Sequence, residues 1–375
     1  MPKALTAEDV RRAVLARAEI VRLLEHSRAE DRTAVRRRIV AYLEELTTTQ
    51  RYAFYKRIPA LLHPILRKIP RLVEGIDAAK DASRSGRLIY ASNHRSHMDY
   101  LIEPILLDEH GIRPPLIAAG FNLFGGPLGL LNRHVTGAIP IRRGTRDPVY
   151  LTTLKAYVAE QLQHHDLFVY PEGGRSYSGE LKPYKTGLLH AAMQAGVKDL
   201  LVVPTAISYD LVLEDRVIAR QGVKKRQRPF THEFAEMAAL AIGYRTRSVT
   251  VFAPPIPAAP YDPESKKDVL DLAQRVREVT GRIMKILPTA IVAHEMRQAI
   301  THASLESRVA ARLDRLAEAG ANLDVRDAKH VIEDGVSRLE HRGVIQSESG
   351  RIRVRDRRVL RYYGRSIAHF VHDTD

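Results

Sequence analysis

Short apolar runs alternate with longer stretches of helical period through the middle of the chain. Runs at 88–92, 116–119, 137–141, 167–170, 201–208 and 248–252 read as buried strands. Between them, 98–109, 148–164 and 187–195 carry apolar positions at helical spacing. This alternation predicts an α/β fold, a largely parallel central sheet flanked by helices. Ahead of it, Thr6 with Asp9 forms a capping-box pattern before Val10, Val14, Val21 and Leu24. Ser27 with Glu30 repeats that pattern before Val35, Ile39, Leu43 and Leu46, so two helices packed as a hairpin are expected.

The stretch 51–76 differs. Phe54, Ile58, Leu61, Ile65, Ile69 and Leu72 keep a helical period that Pro59, Pro64 and Pro70 interrupt, with tyrosines and basic residues alongside. Short basic amphipathic pieces suit a membrane interface, and the plainer reading is a helical cover on the core. Downstream, 261–287 reads as a helix, and 304–319 and 328–341 as two more before a basic hairpin around Ser349-Gly350. The expected organisation is an N-terminal helical segment at 1–80, a candidate membrane-interface element. An α/β domain at 81–287 and a small helical, winged-helix-like module at 288–375 follow. Two helices and a basic hairpin suit a DNA reader as well as a structural cap.

Composition narrows the partners more than the fold. With 59 Lys and Arg against 44 Asp and Glu, the net charge is +15, which favours nucleic acid, phospholipid surfaces or phosphorylated substrates. The absence of cysteine excludes thiol nucleophiles, thiolate metal sites and disulfides. Met1-Pro2-Lys3 precedes a charged helical pattern, so no secretory leader is expected. The window from Pro114 to Asn132 lacks charge, but its prolines and glycines argue against a spanning helix.

Candidate chemistry gathers at predicted strand ends. Asn93-His94-Arg95-Ser96-His97-Met98-Asp99-Tyr100 lies between the first strand and a helix. On a regular helix five residues turn by roughly 500°, so His94 and Asp99 meet only if His94 lies in the turn. Asp99 would then fix the imidazole tautomer and leave the other nitrogen to take a proton. Other strands end in Arg142-Arg143-Gly144 and in Tyr170-Pro171-Glu172-Gly173-Gly174-Arg175-Ser176, and Val203-Pro204-Thr205-Ala206-Ile207 leads to another end. In a parallel sheet these ends share one edge, where arginines and glycine-flanked amides can take a phosphate. His94, His97 and Asp99 also form a candidate metal set, and Gly174–Gly179 misses the nucleophile-elbow spacing by one position. Lys224-Lys225-Arg226-Gln227-Arg228 is a basic loop suited to lipid headgroups, an acidic carrier protein, or plain solvation.

These blocks together resemble the glycerophospholipid acyltransferases, above all the bacterial glycerol-3-phosphate acyltransferase branch. The family writes them His-x4-Asp, Gly-x-x-Phe-Ile-x-Arg, Phe-Pro-Glu-Gly-Gly-Arg-Ser and Val-Pro-x-Ala-Ile. Here they occur in order, and Leu360–His369 resembles the same branch, which weakens the DNA reading. The resemblance implies that His94 removes the proton of the acceptor hydroxyl, with Asp99 orienting it. The acyl group comes directly from an acyl-CoA or acyl carrier protein thioester, with no acyl-enzyme and no cofactor or metal. Arg143 would grip the acceptor phosphate with Arg175 and Ser176, while Glu172 and Gly173 position the glycerol backbone. Lys185 is a further phosphate candidate on charge. Pro140 and Tyr170 replace family phenylalanines, and Tyr177 stands where another basic residue is common, which leaves the acceptor open. The implied partners are glycerol-3-phosphate, the thioester and the anionic cytoplasmic face of a membrane, with no nucleic acid expected.

Overall fold

The computed structural model describes residues 6–58, 69–221, 246–296 and 298–371. The basic loop at 224–228 and the proline-interrupted stretch 59–68 lie outside them. The main sheet contains β1 (Arg71–Glu74), β2 (Arg87–Ser92), β3 (Leu116–Gly120), β4 (Ala138–Ile141), β5 (Leu167–Val169), β6 (Leu200–Tyr209), β7 (Ser248–Phe252) and β8 (Ile256–Pro257). Its order is β1-β7-β6-β2-β5-β3-β4, with β8 also on β6. Strands β6, β2, β5, β3 and β4 are mutually parallel, while β7 and β8 run antiparallel to β6. The C-terminal ends of the parallel strands therefore lie on one edge.

Alternation along the strands builds two layers. Ile89, Ala91, Val169 and Val202 pack with the helices Pro148–Leu162, Gly187–Met193 and Lys266–Ile283. Leu88, Tyr90, Phe168 and Val203 face the other way, onto Ile76 and Leu107 of the helices Ile76–Ser85 and Asp99–Glu109.

Two expectations about the N-terminal region change. The Thr6–Asp9 capping box forms, but its helix ends at Ala16, and Arg17 adopts an extended conformation before a second helix, Ala18–Glu25. That break resets the phase, so Ile20 is buried where Val21 was expected to be. Ser27 donates back to the Leu23 carbonyl instead of capping, and the helix Arg32–Leu46 follows. All three helices pack on Pro148–Leu162. The second change is at Arg71–Glu74, where the expected helical period gives way to strand β1. This segment pairs with β7 across a long sequence separation, and Leu72 stays exposed on the sheet edge.

The C-terminal region carries β9 (Ile300–Thr301), the helices His302–Glu318 and Ala328–His341, and the hairpin β10 (Ile345–Glu348) to β11 (Arg351–Val354). Its sheet order is β10-β11-β9, a winged-helix-like arrangement. Its core is continuous with the main one: Leu305, Val309 and Leu339 share a cluster with Ile102, Leu106 and Ile207. Among the described residues no helix is long and apolar enough to cross a membrane.

Candidate active site

The turn required by the His94–Asp99 spacing is present. After β2 ends at Ser92, the Asn93 amide group pairs with both backbone groups of Ile207, tying the turn to β6. Asp99 is the first residue of its helix. Its Oδ2 accepts from His94 Nδ1 at 2.8 Å and from the amides of Arg95 and Ser96 at 2.7 and 3.0 Å. Its Oδ1 accepts from the Tyr209 hydroxyl at 2.7 Å. A fully buried carboxylate thus has both oxygens satisfied. The Nδ1–H tautomer leaves His94 Nε2 as the proton acceptor. Burial lowers the His94 pKa from its ordinary 6.5, against the opposing pull of Asp99, so the ring is a neutral base at physiological pH. Its face stacks on Tyr170 with centroids 4.3 Å apart.

The block after β5 closes over this turn. Glu172 accepts from the His94 amide at 2.9 Å and the Lys182 amide at 3.1 Å, so its carboxylate holds backbone. Burial raises its pKa, offset by Arg95 and those two amides. The Ser176 amide donates to the His94 carbonyl and the Ser176 hydroxyl to the Glu180 carbonyl. Arg175 is buried and pairs with Glu214 at 3.1 Å. It lies close enough to lower the pKa of both His94 and Arg143.

Two cations gather at the glycine turn. Gly173 has a φ of 73°, and a Cβ there would lie 2.5 Å from Lys185 Nζ. A Cβ on Gly174 would lie 3.6 Å from a terminal nitrogen of Arg143. The missing side chains make room for both. Among the described residues Arg143 and Lys185 have no carboxylate partner. Arg142, by contrast, makes a forked pair with Glu45. Its neighbour Arg143 is the one left for an anion.

The structure adds residues that the sequence did not single out. Tyr209, the last residue of β6, bonds Asp99. Glu214 accepts from the Ser96 hydroxyl, the His97 amide and Arg175. Glu103 accepts from Ser92 and Tyr170. Arg95 is buried, and its guanidinium donates to the Gly179 carbonyl. An acid four residues after Asp99 on one helix was the available signal for Glu103; no local pattern marks Glu214. The Ser176 and Ser178 hydroxyls both turn to Glu180, so neither has a histidine base. Among the described residues, no three His, Asp or Glu side chains are grouped to hold a metal ion.

Beside the glycine turn opens a cavity of about 440 Å³. Arg143, Gly173 and Lys185 are on its wall with Tyr170, and its interior is apolar, with Ala91, Ala119, Leu154, Val202 and Val276. At the ends of parallel strands, Tyr170 thus joins a neutral histidine base, stacked on its ring, to the cavity whose wall carries the two cations. This combination suits acyl transfer to a phosphorylated acceptor.

Residues 71–208 match the family described as Acyltransferase, and the chain carries a domain of that family there. A protein of Aeromonas hydrophila subsp. hydrophila named glycerol-3-phosphate acyltransferase is 33% identical over 187 residues, 48% of this chain and 23% of that protein. A Mycobacterium tuberculosis protein named "Putative acyltransferase plsB1" is 28% identical over 294 residues, 73% of this chain and 46% of that protein. The Mycobacterium bovis protein of the same name matches to the same extent. The chain thus spans less than half the length of these relatives.

Proposed function

We propose that this chain transfers an acyl group from an acyl-CoA or acyl carrier protein thioester to the first hydroxyl of glycerol-3-phosphate. The observation that supports this reading is that Tyr170, stacked on His94, lines the apolar cavity together with Arg143 and Lys185. In the proposed reaction, His94 Nε2 takes the hydroxyl proton as the oxygen attacks the thioester carbonyl. The resulting tetrahedral adduct expels the thiolate, which takes the proton back from His94. The product is an ester and a free thiol, and no acyl-enzyme forms. Arg143 and Lys185 hold the acceptor phosphate, while the cavity takes the acyl chain. Arg175 and Ser176 act mainly from below, by charge and by holding the His94 turn, and Glu172 and Gly173 shape the turn that faces the glycerol.

Peripheral contact with the cytoplasmic face of a membrane fits the net charge of +15 and the exposure of Phe54, Phe121 and Leu130. Sedimentation with anionic vesicles should weaken as salt rises; binding indifferent to salt contradicts an electrostatic contact.

The acceptor is tested by offering glycerol-3-phosphate, 1-acylglycerol-3-phosphate and dihydroxyacetone phosphate with each thioester, then mapping the acylated position. A 1-acyl product from glycerol-3-phosphate as the preferred outcome supports the reading. Preference for either other acceptor overturns that assignment and keeps the machinery.

A further inference from the structure

We propose that Glu103 is a positioning residue for His94 and acts on it through the hydroxyl of Tyr170. This rests on the reading of His94 as the base. Glu103 is fully buried and lies one helical turn after Asp99, so both carboxylates face the same side of the helix Asp99–Glu109. Its Oε1 accepts from the Ser92 hydroxyl at 2.6 Å and its Oε2 from the Tyr170 hydroxyl at 2.9 Å. Each carboxylate oxygen thus has one donor, and among the described residues no cation pairs with it.

The geometry divides the control of the imidazole. Asp99 fixes the direction of Nδ1, but one hydrogen bond leaves the ring free to rotate about that line. The Tyr170 ring, 4.3 Å away and inclined by 22°, supplies the second constraint. A phenylalanine would offer the same face without an anchor at its far end. The hydroxyl that reaches Glu103 is the feature by which Tyr170 departs from the block pattern Phe-Pro-Glu-Gly-Gly-Arg-Ser. Burying an unpaired carboxylate is costly, and apolar groups of the same shape are often as stable or more so. A stability benefit therefore does not explain Glu103; holding Tyr170, and with it the plane of the base, does. Burial and the neighbouring Asp99 raise the Glu103 pKa, and the hydrogen bonds from Ser92 and Tyr170 oppose that rise.

Tyr170→Phe, Glu103→Leu and Glu103→Gln separate the possibilities, because glutamine can still accept from Tyr170 and donate to Ser92. Tyr170→Phe and Glu103→Leu should lower kcat about ten- to hundredfold, as expected for a misplaced catalytic group, with both KM values within about twofold. Glu103→Gln should keep kcat within about threefold of wild type. Thermal unfolding of each variant confirms that it is folded at the assay temperature. A second readout needs no turnover: the His94 Nδ1 proton resonance, assigned by its loss in His94→Ala. It should move or broaden in Tyr170→Phe and Glu103→Leu and stay in place in Glu103→Gln. An unmoved resonance in folded Tyr170→Phe overturns the proposal whether or not the protein transfers acyl groups. Wild-type kcat in that variant overturns it too, while an inactive wild type overturns only the proposed function.

Discussion

Asp99 accepts four hydrogen bonds, and this sets what its removal should do. Its charge raises the pKa of His94, opposing the burial that lowers it. Asp99→Asn should therefore shift the acid limb of kcat/KM further below 6.5 and weaken the tautomer that frees Nε2. We expect a loss on the order of 10²-fold or more, measured as kcat/KM across pH. An acid limb that moves above 6.5 contradicts this account of His94. At this scale the sequence was informative where partners are local. His94 and Asp99 are five residues apart, and their pairing followed from the turn alone. Tyr209 lies 110 residues from Asp99, and Glu214 lies 118 residues from Ser96. Such contacts depend on which strands become neighbours, and no local period carries that information.

The parallel strands do for the elements what hydrogen bonds do for residues. Continuous apolar runs located β2 to β7 because these strands are buried on both faces. Periodicity missed β1, whose four residues sit at the sheet edge with little burial to pattern them. It also missed the break at Arg17, where a helical phase restarts. The loop after β6 shows how elements are joined beneath the site. Glu214 holds the His94 turn and Arg175, while adjacent Asp215 holds Arg342 and the Tyr363 hydroxyl from the C-terminal region. Gly179 lies against the Tyr362 carbonyl so closely that a Cβ would stand 1.9 Å from it. Replacing Glu214 by Gln removes the carboxylate that pairs with the buried Arg175 at 3.1 Å. Removing one partner of a buried pair costs about 3–5 kcal/mol, and a loss of that order should appear in urea unfolding of Glu214→Gln. A change below about 1 kcal/mol contradicts the assignment of this pair as the anchor of the turn.

For the whole molecule, the continuous core makes the C-terminal region part of the fold that supports the site. His369 shows this in its titration. It bonds the Gly281 carbonyl of the helix Lys266–Ile283, and burial pushes its pKa down to about 4. Burial likewise pushes His165 down to about 4. In the unfolded chain both titrate near 6.5, so between pH 6.5 and 4 the unfolded state binds more protons. Stability from these two groups is full above that window and falls as pH drops through it. Urea midpoints should decrease from pH 7 to pH 4, and His165→Gln with His369→Gln should flatten the decrease. An equally steep decrease in the double variant contradicts this origin. The measurement that bears most directly on the central claim is acyl transfer from a thioester to glycerol-3-phosphate by wild type and His94→Ala. The account predicts transfer by wild type and a loss of about 10²–10⁴-fold in the variant, with glycerol-3-phosphate binding retained. Transfer at the wild-type rate by His94→Ala, or none by wild type with either thioester, would contradict it.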